Sequence, residues 1–514
     1  MADRGHVRYT DVPFLEMRGM VKRFSGVVAS DHIDLKVEKG EVHCLLGENG
    51  AGKTVLMKLL YGLYRADRGQ IFLGGKEVTI NSPRDAIELG IGMVHQHFTL
   101  VPPLTVADNL ILGMIPSYGL IHKKEVEQKI NELSKRYGLK VNPRAQTWQL
   151  SVGDQQRVEI LKALFRGAEL LILDEPTAVL TSMEVDQLFA TIQLLTKDAG
   201  KAVIFITHKL NETMAISDRV TVLRDGKVVT TVETSKTNPR ELAKWMVGRE
   251  VLFRLEKTPF KPGEVVLEVK GLTTLDDLGL TKVKGVSFEV RQREIFGIAG
   301  VAGNGQRELV EAITGLRKVI KGNVIVNRAD VTNRSVGDIM KHGVGHVPED
   351  RYKHGLVVQL PLYENCILDN YSNPEFLNRW KLYDKRTIYD YANRIAKEYD
   401  VVMPSIEIET EVLSGGNLQK LILARELSRS PSLLIVNQPT RGVDVGATEF
   451  VHRKLLEQRD AGRAILLISA ELEEILSLSD RIAVIYEGEI VGLHDSENAN
   501  MHQIASEMGG FRKQ

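Results

Sequence analysis

The sequence predicts an α/β chain made of two tandem copies of one domain, each a mainly parallel sheet wrapped by helices. Three observations lead there. The chain has 514 residues, about three times the length of a common single domain, so more than one core is expected. Short β-branched or Leu-rich runs bounded by glycine, as at 42–46, 170–173 and 202–206, alternate with longer helical patterns, which is the signature of strand–helix–strand units. The same ordered series of segments also occurs twice, displaced by about half the length.

The first copy runs through a strand-like start at 16–19, a glycine-rich loop at 47–54, and segments at 150–156, 170–175 and 204–208. The second repeats them at 265–271, 300–307, 413–419, 433–438 and 466–470. The copies close alike, on Trp245-Met246-Val247-Gly248 and on Ser506-Glu507-Met508-Gly509. Between them, 249–263 is charged and carries Pro259 and Pro262, the composition of a linker. The expected division is a first domain at 1–250, a linker at 251–264 and a second domain at 265–514. Reactive groups in such sheets gather at the carboxyl ends of strands, and every motif below falls there or at a helix start.

Composition narrows the classes of function. Hydrophobic residues at 43% and charged residues at 26% exclude a disordered, collagen-like or many-helix membrane chain. Lys+Arg and Asp+Glu number 67 each, so no global basic field favours nucleic acid as a partner. Two cysteines, Cys44 and Cys366, exclude a disulfide framework and a four-ligand zinc site and read as reduced structural thiols of a cytosolic protein. The N-terminus lacks the apolar stretch of a signal peptide, and no apolar run reaches the roughly 18–20 residues that span a bilayer. Any membrane role must come through another chain.

Gly47-Glu48-Asn49-Gly50-Ala51-Gly52-Lys53-Thr54 follows an apolar strand and opens a helix expected at 55–61. That is the setting of a phosphate-binding P-loop. Glycines let backbone N–H groups curl around a triphosphate, the helix start favours the anion, and Lys53 supplies a charge at the β and γ positions. Thr54 would give its hydroxyl to Mg²⁺. Val55 stands where many such loops place a second hydroxyl.

The buried run at 170–173 ends in Asp174-Glu175 before Pro176. Adjacent carboxylates at the mouth of a buried strand are costly unless used. Asp174 can orient a hydrated Mg²⁺ while Glu175 polarises the attacking water; alone, the pair could equally be a helix N-cap before Pro176. Gln96, after a short apolar run, could reach Mg²⁺ and the water, and His208, at the end of a strand, could hydrogen-bond the γ-phosphate; each alone could be a solvated or satisfied residue. Phe24 could stack on adenine or belong to the core. Leu413-Ser414-Gly415-Gly416-Asn417-Leu418-Gln419 precedes a helix expected at 420–427. It offers a second anion-binding surface or an ordinary serine N-cap with flexible glycines.

In this order the P-loop, glutamine, serine–glycine signature, Asp-Glu strand and histidine resemble the nucleotide-binding subunits of ATP-binding-cassette (ABC) transporters, over nearly the whole chain and twice. Val347-Pro348-Glu349-Asp350-Arg351, with Gly355 beyond it, and 413–420 look like the tandem ATPases of simple-sugar and nucleoside importers. The resemblance implies two P-loop NTPase (RecA-like) cassettes, each with a β subdomain and a helical subdomain, working with ATP and Mg²⁺. It implies two integral-membrane permease subunits and an extracytoplasmic solute-binding protein as partners, no nucleic acid, and a peripheral position on the cytoplasmic face of the membrane. In such proteins the signature of one cassette completes the phosphate site of the other.

The halves are not equivalent. Gly300 to Gly305 keeps the outer glycines, but Gln306 stands for Lys53 and Arg307 for Thr54. Asn437-Gln438 replaces Asp174-Glu175, Glu349 aligns with Gln96 and Ala470 with His208. The first-half signature reads Leu150-Ser151-Val152-Gly153-Asp154, with a valine at the first glycine. Paired head to tail, the complete P-loop meets the complete signature, Ser414, Gly415, Gly416 and Gln419. The altered P-loop meets Ser151 and Gly153. One hydrolytic and one degenerate site are expected. Where the family carries an acidic residue after the Glu-Pro pair, the halves have Thr181 and Asp444.

A tandem ATPase acting on ribosomes would keep both sites intact and join them by a basic helical linker. A DNA-repair ATPase would need zinc cysteines, and a binding module that never hydrolyses would not need the intact set from Lys53 to His208. The transported solute is invisible here, with nucleoside or simple sugar ranked first and a vitamin behind. The loop at 98–109 is the candidate for docking a permease helix.

Overall fold

A computed structural model describes residues 12–24, 26–96, 98–114, 123–178, 180, 182–250 and 257–510. The chain forms two compact units, Met1–Val251 and Leu252–Gln514.

In the first unit a six-stranded sheet runs in the order Lys227–Glu233, Arg219–Arg224, Val42–Gly47, Ala202–Thr207, Leu170–Asp174, Ile91–Val94. Four of its five pairings are parallel; at one edge Lys227–Glu233 returns antiparallel. The strands Val42–Gly47, Leu170–Asp174 and Ala202–Thr207 are buried along their whole length, which is why they read as unbroken apolar runs: both faces are covered. A second, four-stranded sheet, Val27–Val37, Leu15–Phe24, Arg68–Leu73 and Lys76–Val78, is wholly antiparallel. One core joins the two sheets, with Met17 and Ile33 of the antiparallel sheet, Ile172 and Ile204 of the parallel one, and Leu56 and Leu60 of the helix Lys53–Leu60. Burying both sheets on that one short helix fixes it, and with it the loop that opens it. The helices Val106–Ile111, Lys123–Arg136 and Val152–Phe165 make a separate helical part.

The second unit repeats this topology strand for strand. Its sheets are Val344–Val347, Leu433–Asn437, Ala464–Ser469, Ile295–Ala299, Arg481–Tyr486, Glu489–Asp495 and the antiparallel Thr281–Arg291, Val265–Leu275, Val319–Val326, Ala329–Asp330. Each unit is thus an α/β cassette with a β part and a helical part. Among the described residues no helix is long and apolar enough to cross a membrane. Cys44 and Cys366 are buried and unpaired as disulfides; burial pushes each thiol up to about 12.

Two helix boundaries differ from the sequence reading. The P-loop helix starts at Lys53, and the signature helix runs Gly415–Ser428 rather than from 420, with Ser414 as its N-cap. Glycine's poor helix propensity makes 415 and 416 look like loop, but the serine cap and tight packing override it: a Cβ on Gly416 would sit 3.1 Å from Ala447 Cβ.

Residues 257–263 also differ from a bare tether. Lys257 Nζ donates to Ser479 O at 2.8 Å, and Thr258 O accepts from Arg459 Nη2 at 2.9 Å, all within the second unit. Arg459, 2% exposed, forks onto Asp480, Nε to Oδ2 at 2.9 Å and Nη2 to Oδ1 at 2.7 Å, while Asp480 Oδ2 also accepts from Ile295 N. Arg459→Ala strands a buried carboxylate, and urea unfolding of the full chain is expected to show a loss of about 3–5 kcal/mol in the second unit. A loss under about 1 kcal/mol would mean that the pair is solvated.

Candidate active site

Gly47 ends the strand Val42–Gly47, and the chain turns through 48–52 into the helix Lys53–Leu60. The turn demands glycine: Gly52 has φ 97°, and a Cβ there would lie 2.3 Å from Ala29 O. Ala51 N closes the turn onto Glu48 O at 3.1 Å. Lys53, 5% exposed, folds back over the loop, its Nζ donating to Gly47 O at 2.8 Å and Glu48 O at 2.9 Å. An ammonium held over a ring of backbone amides at a helix start is an anion cradle.

Beside the cradle, Thr54 Oγ1 donates to Asp174 Oδ1 at 3.2 Å. Hydroxyl and carboxylate together are the hard oxygen donors that a hydrated divalent cation takes while phosphate supplies the rest. Burial pushes the Asp174 carboxyl above its ordinary value; the Thr54 hydrogen bond opposes this and the Glu175 charge adds to it.

Glu175 follows in the left-handed region at φ 47°, a conformation that costs about 1 kcal/mol or more in a residue with a Cβ and is held only where the surroundings demand it. It carries the carboxylate away from the sheet to Gln96 and His208. Gln96 Nε2 donates to Oε2 at 3.0 Å, and His208 Nδ1 lies 3.2 Å from Oε1. The three residues come from the ends of three adjacent parallel strands, so strand order alone brings them together. Burial pushes the Glu175 carboxyl up, but the His208 hydrogen bond and charge, with Lys53, outweigh it and hold it below its ordinary value. The group is therefore a carboxylate at neutral pH, able to accept a proton.

Phe24 is not core. It is 41% exposed at the end of the strand Leu15–Phe24, its ring edge-on to Tyr64 at 5.3 Å. After Gln96 the chain is pinned to the helix Val152–Phe165, Thr99 N and Oγ1 donating to Glu159 Oε1 at 2.6 and 2.8 Å. A cleft of about 230 Å³ opens there, lined by Tyr61, His95, Thr99, Glu159, Lys162 and Arg166 among others.

The second unit keeps the shape and lacks the chemistry. Gly305 repeats the turn at φ 102°, but Gln306 Nε2 donates to Val301 O at 2.9 Å where the ammonium would lie. Arg307 pairs with Glu311 at 2.7 Å. Asn437 is buried, and Gln438 repeats the left-handed φ at 51° with Oε1 accepting from Ala470 N at 3.2 Å. Glu349 pairs with Arg441.

The signatures differ in where the serine proton goes. Ser151 Oγ donates to Asp154 Oδ2 at 2.8 Å, and Arg157 braces the same carboxylate. Ser414 Oγ instead accepts from Asn417 Nδ2 at 3.0 Å, which keeps its own proton for another acceptor. Gly153 is also walled in, since a Cβ there would lie 2.2 Å from Glu184 Oε1. Residue identity signalled a departure at Val152, but the direction of the hydroxyl is a matter of geometry. Asp444 caps the helix Val445–Asp460 through Ala447 N at 2.8 Å, while Thr181 lies outside the described residues. Arg351, which donates to Gly415 O and to the carbonyl of Arg441, belongs to the 347–351 motif, whereas Arg441, which pairs with Glu349, had no signal in spacing.

A family model described as "ABC transporter" matches residues 30–178 and 283–441. The guanosine import ATP-binding protein NupO of Bacillus subtilis is 50% identical over 96% of this chain and 97% of its own length. The nucleoside import ATP-binding protein NupA of Lactococcus lactis is 48% identical over 96% and 98%. The glucose import ATP-binding protein TsgD13 of Haloferax volcanii is 48% identical over 98% and 96%. Among solved structures, a crystal structure of the archaeal ribosome recycling factor aABCE1 with a ribosomal stalk protein aligns over 96% of this chain with a TM-score of 0.63 at 18% identity, a likeness of fold alone.

Proposed function

The chain belongs to the ABC transporter family, and from that premise we propose that its first unit holds the hydrolytic centre of a nucleoside importer. It is an energy-coupling ATPase of the nucleoside and sugar import class, and its partners include a membrane permease. The ribosomal alternative is not favoured, because the relatives that match at half identity are import proteins while the recycling factor shares only a fold. One observation carries the reading: ammonium, hydroxyl, two carboxylates, glutamine and histidine converge at one set of strand ends in the first unit, and each is replaced at the matching place in the second.

The P-loop amides and Lys53 hold the β- and γ-phosphates of ATP, with Phe24 against the base. Glu175 takes the proton of a water attacking the γ-phosphorus, and Gln96 and His208 aim its two oxygens. Mg²⁺, for which Thr54 and Asp174 are the donors, would supply charge neutralisation on the phosphate oxygens. The second site, around Gly300, Gln306, Arg307, Asn437 and Gln438, lacks base, metal hydroxyl and lysine and does not turn over. Two permease subunits and an extracytoplasmic binding protein complete the importer, with this chain peripheral on the cytoplasmic face and the cleft beside Thr99 receiving a permease helix. Reconstitution of the chain with its permease and binding protein in proteoliposomes tests the solute: ATP-dependent uptake of labelled guanosine is expected, undiminished by excess ribose or glucose. Uptake of sugar but not nucleoside would overturn that assignment.

A further inference from the structure

The helical parts of the two units are tied at matching places by the same pair of side chains, and differ in the length between them. Asn109 Nδ2 donates to Thr147 Oγ1 at 3.5 Å across 38 residues, and Asn365 Nδ2 donates to Thr410 Oγ1 at 3.0 Å across 45. The helices Lys123–Arg136 and Lys385–Glu398, of 14 residues each, end 11 and 12 residues before those threonines. Nearly all the added length therefore lies ahead of Lys385–Glu398, and there the chain makes a hairpin. The turn Pro374–Phe376 leads into it, Leu377 bridges Tyr383, and Asn378 N donates to Leu382 O at 2.8 Å. Asn378 Oδ1 accepts from Trp380 N at 2.8 Å and from Leu382 N at 3.1 Å, and Lys381 turns the tip at φ 58°.

Only the root of this hairpin is buried. Phe376 packs with Ile367 and Ile388 and meets the Tyr391 ring edge-on at 5.0 Å. Beyond it Trp380 is 70% and Leu382 64% exposed, with Tyr371 and Tyr383 exposed as well. One exposed apolar side chain is ordinary; four within one short segment mark a surface that meets a partner. Four cations, Arg379, Lys381, Lys385 and Arg386, are exposed in the same segment, with Arg379 Cζ 4.9 Å over the Trp380 ring. Of the two acids at 371–386, Asp384 is occupied as the N-cap of Lys385–Glu398. That mixture selects the partner. The core of a protein–protein interface is depleted in lysine, whereas tryptophan and tyrosine settle at the headgroup level of a bilayer, and lysine and arginine meet its anionic phosphates. The chain as a whole carries no net charge, so the attraction belongs to this segment.

We propose that the hairpin at 371–386 is a lipid-contact element. Trp380 and Leu382 enter the headgroup layer of a membrane, while Arg379, Lys381, Lys385 and Arg386 bind anionic phospholipid. The proposal rests on the reading of the chain as a subunit that works at a membrane, and it names the surface of the second unit that touches the lipid.

The test is flotation of the purified full chain, without permease, on vesicles of phosphatidylcholine alone or mixed with phosphatidylglycerol. Binding is expected on the mixed vesicles, at least about tenfold weaker on the neutral ones, and weakened by added salt. Trp380→Ala should lower binding at least about tenfold, and Arg379→Gln joined to Lys381→Gln by a similar factor. Both variants should melt as the parent does, because the tip adds nothing to the core. Brominated phospholipid in the mixed vesicles should quench the parental tryptophan fluorescence and leave that of Trp380→Ala unchanged. A parental chain that does not float, or flotation and quenching equal in parent and variants, overturns the proposal. So does parental flotation in Trp380→Ala joined to a loss of permease co-purification, which would make the hairpin a protein contact. ATP turnover by the lipid-free chain and its loss in Glu175→Gln decide the ATPase reading separately, so vesicles that fail to bind would remove the lipid contact alone.

Discussion

Glu175→Gln is expected to reduce ATP turnover by at least about 10²- to 10³-fold while leaving nucleotide binding in place. The amide cannot accept the proton of the attacking water, and loss of a positioned general base removes effects of that size. The substitution should fold, because the protein already contains its result. Gln438 occupies the equivalent strand end in the second unit with a left-handed φ of 51° against 47° at Glu175, and its amide oxygen is satisfied by Ala470 N. Gln96 Nε2 can keep an oxygen acceptor in the variant, so the geometry survives while the base is lost. Phosphate release by the purified full chain, read beside equilibrium binding of ATP, checks both halves of the statement. Residual turnover within tenfold of the parent would remove Glu175 from the role of base.

The second large effect is an asymmetry between two aligned residues. Lys53→Ala takes away an ammonium held 2.8 and 2.9 Å from two loop carbonyls, and with it the charge that meets the β- and γ-phosphates. Turnover is expected to fall more than about 10²-fold, with weaker ATP binding. Gln306→Ala removes only an amide bound to Val301 O and should leave turnover within about twofold. Comparable losses in both variants would mean that both pockets hydrolyse; a loss confined to Gln306→Ala would exchange their roles.

How legible the site was depended on how local each part of it is. The P-loop could be read directly because strand, turn and helix are contiguous, and the glycines are required by the turn itself: φ 97° at Gly52 permits almost nothing else. The Asp-Glu pair stood out because carboxylates at the mouth of a buried run are costly unless used. The signature helix begins five residues before the expected 420, because propensity reads Gly415 and Gly416 as loop, whereas the Ser414 cap and contact with Ala447 make them the first turn.

The sequence by itself determined that there are two cassettes, which of them keeps the reactive groups, and which residue types stand at each strand end, since all of these follow from composition and short-range spacing. Only the tertiary structure decided that Gln96 and His208 meet the two oxygens of Glu175, that the Ser151 proton goes to Asp154 while that of Ser414 is kept, and that Arg351 bridges 64 residues to Gly415. The reason is physical. A backbone turn is fixed by neighbours in the chain, but the direction of a side-chain hydrogen bond is fixed by strand order and helix packing, which bring together groups whose separation along the sequence carries no period.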